Sequence, residues 1–229
     1  MKLKNQSGRS MVEMLGVLAI IGVLSVGGIA GYKYAMQRHQ VNTYLERFSM
    51  IYNAVQFAYH QPNSYMSCCS YDSKTLNGNY FSTCNGGVDW RDEQQDEIIS
   101  YLGNNYCTST SNETTTAKYC YYGNATRADT DRRFGWKVYL FPRGNKAVFA
   151  ISLILPYISY LNETVYADFV RSVEAHYSDT FLGFNTITEN AWDPLPATEE
   201  NIKARYAVNK GVAFYFAAPG MDQCEPEDE

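Results

Sequence analysis

Gly8-Arg9-Ser10-Met11-Val12-Glu13-Met14-Leu15-Gly16-Val17-Leu18-Ala19-Ile20-Ile21-Gly22-Val23-Leu24 decides the architecture of this chain. From Met14 through Tyr32 no side chain is charged, and Glu13 stands at the mouth of that run. About nineteen residues at roughly 1.5 Å each span roughly 28 Å, close to the thickness of a bilayer's hydrocarbon core. Residues 9–32 are therefore expected to form an apolar transmembrane helix. Lys2, Lys4 and Arg9 precede the run, so the positive-inside tendency keeps the N-terminus cytoplasmic and sends the rest outward. An acidic residue in hydrocarbon costs roughly 2.5–3.5 kcal/mol at a helix centre on insertion scales. A secretory signal peptide cut at a small-x-small site such as Ser25-Val26-Gly27 gives Glu13 no purpose. An uncleaved plain anchor gives it none either.

The helix is expected to continue past the apolar run. Val41, Leu45, Phe48, Tyr52, Val55 and Tyr59 recur at alternating spacings of four and three, which makes one apolar stripe. Lys33, Arg38, Gln40, Asn42, Glu46, Arg47 and Asn53 fall largely elsewhere on the helix. Residues 33–61 thus read as an amphipathic continuation that offers one face to a folded head, and Pro62-Asn63 ends it. A coiled-coil dimer is the competing use of such a stripe. The sequence that follows needs a helix to cover it, which favours head packing.

The head, 62–229, is expected to be α+β. Val88–Leu102 reads as a short helix capped by Asp89. Thr108–Lys118 is polar and reads as a loop. Trp136–Phe141 and Lys146–Leu155 read as two strands joined by a turn at Pro142-Arg143-Gly144-Asn145. Asn162-Glu163-Thr164 opens a helix to about Tyr177 with Val165, Phe169 and Val173 on one side, and Thr198-Glu199-Glu200 caps another. Gly211–Ala217 reads as a last strand. The fold class is therefore a long N-terminal helix packed on a small antiparallel sheet, with disulfide-pinned loops.

Six cysteines, Cys68, Cys69, Cys84, Cys107, Cys120 and Cys224, all lie beyond the apolar segment, as expected of a disulfide framework in an oxidising compartment. Zinc is disfavoured because there is no C-x-x-C and the histidines do not cluster with the cysteines. Six cysteines allow about fifteen pairings. Local loops suggest Cys68 or Cys69 with Cys84, Cys107 with Cys120, and Cys224 with the cysteine left over. A net charge of −5 makes no electrostatic case for nucleic acid. No phosphate loop, H-E-x-x-H or G-x-S-x-G occurs, so no enzyme activity, cofactor or metal is expected. Asp129, Asp131 and His176 read as solvated surface groups. The sequons at Asn112, Asn124 and Asn162 carry weight only in a eukaryotic secretory setting.

Leader, glycine, glutamate five residues on and uncharged helix together resemble a type IV pilin precursor, over roughly Met1 to Gln61. The resemblance implies that a prepilin peptidase removes 1–8 by cutting between Gly8 and Arg9. Glu13 is then the fifth mature residue, and the new amine on Arg9 is a site of N-methylation. Arg9 stands where this family most often has Phe, Met or Leu, and the family's usual helix-kinking proline is absent before Gln61. The resemblance further implies that Glu13 meets the N-terminal amine of a neighbouring copy during assembly. A buried charge is costly unless it is paired, so such a contact acts as a docking criterion. Gly16, Gly22, Gly27, Gly28 and Gly31 are candidates for close helix packing or for local loosening of the helix. Cys224 fits the family habit of closing a C-terminal region with a disulfide. The helix between the later strands resembles the larger type IVb head more than the compact IVa head.

The partners implied are other copies of the chain and related pilins, the prepilin peptidase, an inner-membrane assembly platform, and the membrane before assembly. The implied location is the inner membrane for the precursor and an extracellular filament afterwards, serving adhesion, motility, DNA uptake or secretion. The alternative is a single-pass anchored surface adhesin or sensor ectodomain that does not polymerise.

Overall fold

The computed structural model describes residues 11–61, 91–103, 106–107, 109–110, 120–121, 134–143, 146–154, 162–187, 194–208 and 211–217. Helix α1, Met11–Tyr59, runs without interruption through both the apolar and the amphipathic segment. No proline interrupts it, and its glycines do not break it, although each costs about 1 kcal/mol relative to alanine in a water-exposed helix. The two halves have opposite fates. Val41, Phe48, Tyr52 and Val55 of the stripe are buried, as are Ile51, Ala54 and Ala58, while Leu45 is partly buried against the same core. The stripe serves the head of its own chain rather than a coiled coil.

Helix α2 spans Arg91–Leu102; its expected start at Val88 and cap at Asp89 lie outside the described residues. The strands are β1 (Ser109–Thr110), β2 (Cys120–Tyr121), β3 (Gly135–Arg143), β4 (Lys146–Ile154), β5 (Phe181–Thr186) and β6 (Val212–Ala217). Helices α3 (Glu163–His176) and α4 (Glu199–Val208) fall between the later strands. Every pairing is antiparallel, in the order β1-β2-β3-β4-β6-β5. β1 and β2 have two residues each, so four strands carry the sheet.

Alternation along β4 and β6 explains why β4 is apolar throughout. Phe149, Ile151 and Leu153 point to the main core with Val212, Phe214 and Phe216. Val148 and Ala150 lie on the opposite face with Ala213 and Tyr215, and that face is buried too. α1 packs between α2 and α3 over the main core. Phe48 is the hub: its ring lies 5.2 Å from Phe214, 5.6 Å from Tyr177, 5.9 Å from Phe216 and 6.3 Å from Phe169.

Helix starts follow the expected capping. Asn162 Oδ1 accepts from the Thr164 N–H at 2.9 Å and opens α3, which buries Val165, Phe169 and Val173 together with Tyr166 and Val170. Thr198 Oγ1 accepts from the Asn201 N–H at 3.3 Å and opens α4.

Two expectations need correction, and one strand comes as an addition. Pro142 and Arg143 belong to β3 rather than to the turn, since Pro142 pairs with Ala147 and Arg143 with Lys146. Among the described residues β3 has a strand on its other side only at Gly135 and Trp136, so the N–H that proline lacks is not needed there. Ser109–Thr110, expected within a loop, pairs with Cys120–Tyr121 beside a disulfide between Cys107 and Cys120, whose Cα atoms lie 4.8 Å apart. β5, a segment that the sequence reading leaves unassigned, is also a strand of the sheet. A register shift between Phe181 and Gly183 and the bridge from Phe184 to Leu195 shape it. Gly183 has φ +142, and a Cβ there would sit 2.6 Å from the Leu195 carbonyl oxygen, so glycine is what lets this segment lie against β5.

Candidate functional site

The first half of α1 stands apart from the head. Met11, Met14, Leu15, Val17, Leu18, Ile20, Ile21, Val23, Leu24, Val26 and Ile29 are all exposed, and Ile29 still shows 70% of its surface. This helix is long and apolar enough to cross a membrane, and none of its most apolar window is buried within the chain. An apolar surface of this size on one monomer calls for lipid or protein around it.

Glu13 lies in the first helical turn, where a carboxylate complements the helix dipole, and it is exposed. One turn further on stand Gly16 and Val17, neither of which can neutralise it on leaving water. Gly8 and Arg9 lie outside the described residues. At Gly16, Gly22, Gly27, Gly28 and Gly31 an added Cβ would meet nothing within 4 Å. The described residues therefore offer no packing reason for these glycines, and α1 runs through all five without a break.

The junction with the head is held by polar as well as apolar contacts. Tyr52 Oη and Thr180 Oγ1 lie 2.9 Å apart, and Tyr177 Oη donates to Ser49 Oγ at 2.9 Å. The Tyr52 and Tyr177 rings are 4.1 Å apart, so each tyrosine packs its ring inward and satisfies its hydroxyl at the seam. Burial raises the hydroxyl pKa of Tyr44 and of Tyr177, the latter countered in part by the bond to Ser49.

Gln95 on α2 lies in the polar stretch Arg91–Glu97, to which the sequence reading gives no role beyond forming a helix. It is buried, and its carboxamide bridges to β3: Oε1 accepts from the Val138 N–H at 2.8 Å and Nε2 donates to the Trp136 carbonyl at 3.4 Å. The side chain thus serves the β3 backbone at Val138 as a neighbouring strand would, two residues past the pairing of Trp136 with Cys120. Trp136 is anchored as well, its Nε1 donating to the Tyr106 carbonyl at 2.8 Å next to Cys107.

A second polar feature lies between α3 and α4. The Tyr166 hydroxyl and the Arg205 Nε are buried and make no hydrogen bond among the described residues. Burial drives the Tyr166 hydroxyl pKa far above its ordinary value, and the nearby Arg205 charge only partly counters this.

Cys68, Cys69, Cys84 and Cys224 lie outside the described residues, as do Asp129, Asp131, Asn112 and Asn124. Asn162 is an exposed helix cap, and His176 is exposed with Nδ1 2.7 Å from the Ser172 carbonyl. Among the described residues no group of three or more His, Cys, Asp or Glu is placed to hold a metal ion. Compared with known proteins, the chain matches no family model, no curated protein and no solved structure.

Proposed function

We propose that this chain is a structural subunit of a type IV pilus or a related filament. Residues 1–8 are a leader that a prepilin peptidase removes by cutting after Gly8. Residues 9–32 hold the subunit in the inner membrane and later pack in the filament core, with the head outside.

The observation that carries this reading is a continuous helix whose second half is buried in the head while its first half is apolar, exposed and headed by Glu13. Cleavage would place a new amine on Arg9, about one helical turn before Glu13. Pairing of Glu13 with the amine of an adjacent copy recovers much of its burial cost only in the correct axial register. Extraction from lipid gains little from hydrophobic transfer, so tight packing along Gly16, Gly22, Gly27, Gly28 and Gly31 must offset it, with motor work from the assembly platform.

The mature N-terminus tests the reading, by mass spectrometry or Edman chemistry. A start at Arg9 supports it. A start near Ile29, or an intact Met1, supports an anchored adhesin or sensor, or a secreted product. Glu13→Ala is expected to leave a processed, stable membrane protein that yields few sheared filaments, and normal yield from it would count against the docking role. Unimpaired filaments from Gly22→Leu would mean that the glycines are passive.

A further inference from the structure

We infer that the turns of α1 between the apolar run and the head form a collar that binds the phosphate of anionic phospholipid headgroups on the outer leaflet. The inference rests on the reading of 9–32 as membrane-spanning.

The spacing is the first argument. Val41 is the first α1 residue buried in the head, and Tyr32 ends the uncharged run. The helix between them rises about 13 Å. A headgroup layer is roughly 5–8 Å thick on each side of the core. The head is thus held off the hydrocarbon by a stretch of bare helix long enough to cross that layer.

Composition of the stretch is the second argument. Tyr32 and Tyr34 are 69% and 59% exposed, and Lys33, Arg38 and His39 are exposed beside them. Amphipathic rings and basic side chains are what an interface selects. No Asp or Glu occurs between Glu13 and Glu46. Asp168 on α3 acts on Arg38 only weakly, and among the described residues no carboxylate forms an ion pair with Lys33 or Arg38.

Geometry at Arg38 is the third. Its Nε donates to Tyr34 Oη at 3.0 Å, and its guanidinium carbon lies 5.4 Å from the Tyr34 ring centroid. One donor is thereby spent on holding the group in place against the ring. The Nη donors of the fork remain to meet a phosphate, a pairing for which guanidinium is well shaped. Lys33 adds a second charge from another side of the same turns. The positive-inside tendency gives no reason for these two charges on the outward flank, and a lipid phosphate does.

The test uses the full chain reconstituted into vesicles of phosphatidylcholine with a trace of spin-labelled phosphatidylglycerol or spin-labelled phosphatidylcholine. The label is confined to the leaflet facing the head. The fraction of motionally restricted label gives the relative association constant. Each basic side chain near such a surface contributes roughly fivefold. Wild type is expected to prefer phosphatidylglycerol by roughly fivefold or more, and Lys33→Gln/Arg38→Gln to show no preference while staying inserted. Tyr34→Phe, which frees Arg38, is expected to fall between. An equal preference in wild type and the double variant, or no preference in wild type, overturns the proposal. Loss of the wild-type chain from the vesicles in an alkaline wash instead refutes the membrane-spanning reading beneath it.

Discussion

Replacing Gln95 by leucine removes the carboxamide that completes the edge of β3 while keeping a side chain of similar size. The Val138 N–H then has no acceptor in a residue that is fully buried, and the Trp136 carbonyl loses a donor. A buried polar group left unpaired costs about 1–3 kcal/mol. The 2.8 Å bond to Val138 should carry most of this, and the 3.4 Å bond to Trp136 less. Leucine regains part of the loss through its own burial, so the net destabilisation is expected at about 2–4 kcal/mol. For a domain of this size that lowers the melting temperature by roughly 4–16 °C. The assay is thermal unfolding of the full chain in detergent micelles, followed by near-ultraviolet circular dichroism, which reports packing around Trp136. Gln95→Glu serves as a control: it keeps an acceptor for Val138 but sets a carboxylate against the Trp136 carbonyl, and should also destabilise. A leucine variant that melts within about 1 °C of wild type would refute the view that this side chain substitutes for a strand.

Phe48→Ala empties the hub of the aromatic core and is expected to cost about 3–5 kcal/mol, measured by urea unfolding. Gly183→Ala should destabilise the β5 edge, because φ +142 is strained for alanine and its Cβ would sit 2.6 Å from the Leu195 carbonyl oxygen. The readout is faster amide exchange at Phe184, whose N–H donates to Leu195. Stability should fall as pH rises above about 10, because the hydroxyl of Tyr166 ionises in the unfolded chain before it does in the fold. Below that pH both states hold the proton and this contribution is constant. Tyr166→Phe should flatten the alkaline slope in denaturant titrations between about pH 10 and 12, and should not destabilise the protein near neutrality, since the hydroxyl it removes makes no hydrogen bond.

Long-range order was legible wherever a local pattern repeats. The stripe from Val41 to Val55 identified the buried face of α1, and the caps at Asn162 and Thr198 located α3 and α4 to within a residue or two. β5 escaped because Gly183 and Asn185 interrupt its alternation, and the contact that makes them tolerable comes from Leu195, distant in sequence. Gln95 escaped for a related reason. Its polarity matched its neighbours on α2, and only the packing of α2 beside β3 buries it against the Val138 N–H. The pairing of Cys107 with Cys120 follows from short separation, whereas the described residues place nothing against the α1 glycines from which a use could be read. Glu13 was conspicuous in the sequence, and its position in the first turn adds orientation but no partner among the described residues.

Because α1 is one unbroken rod, the direction in which the head faces is locked in phase to the direction in which the apolar half faces. Each residue added between Tyr32 and Val41 would turn the head by about 100° around the rod and lift it by about 1.5 Å. A seven-residue insertion would nearly restore the facing direction while raising the head by about 10 Å. Angular phase and axial height along the rod are thus separable by insertion length. Any interface that engages both halves of the rod at once must respond to the first independently of the second.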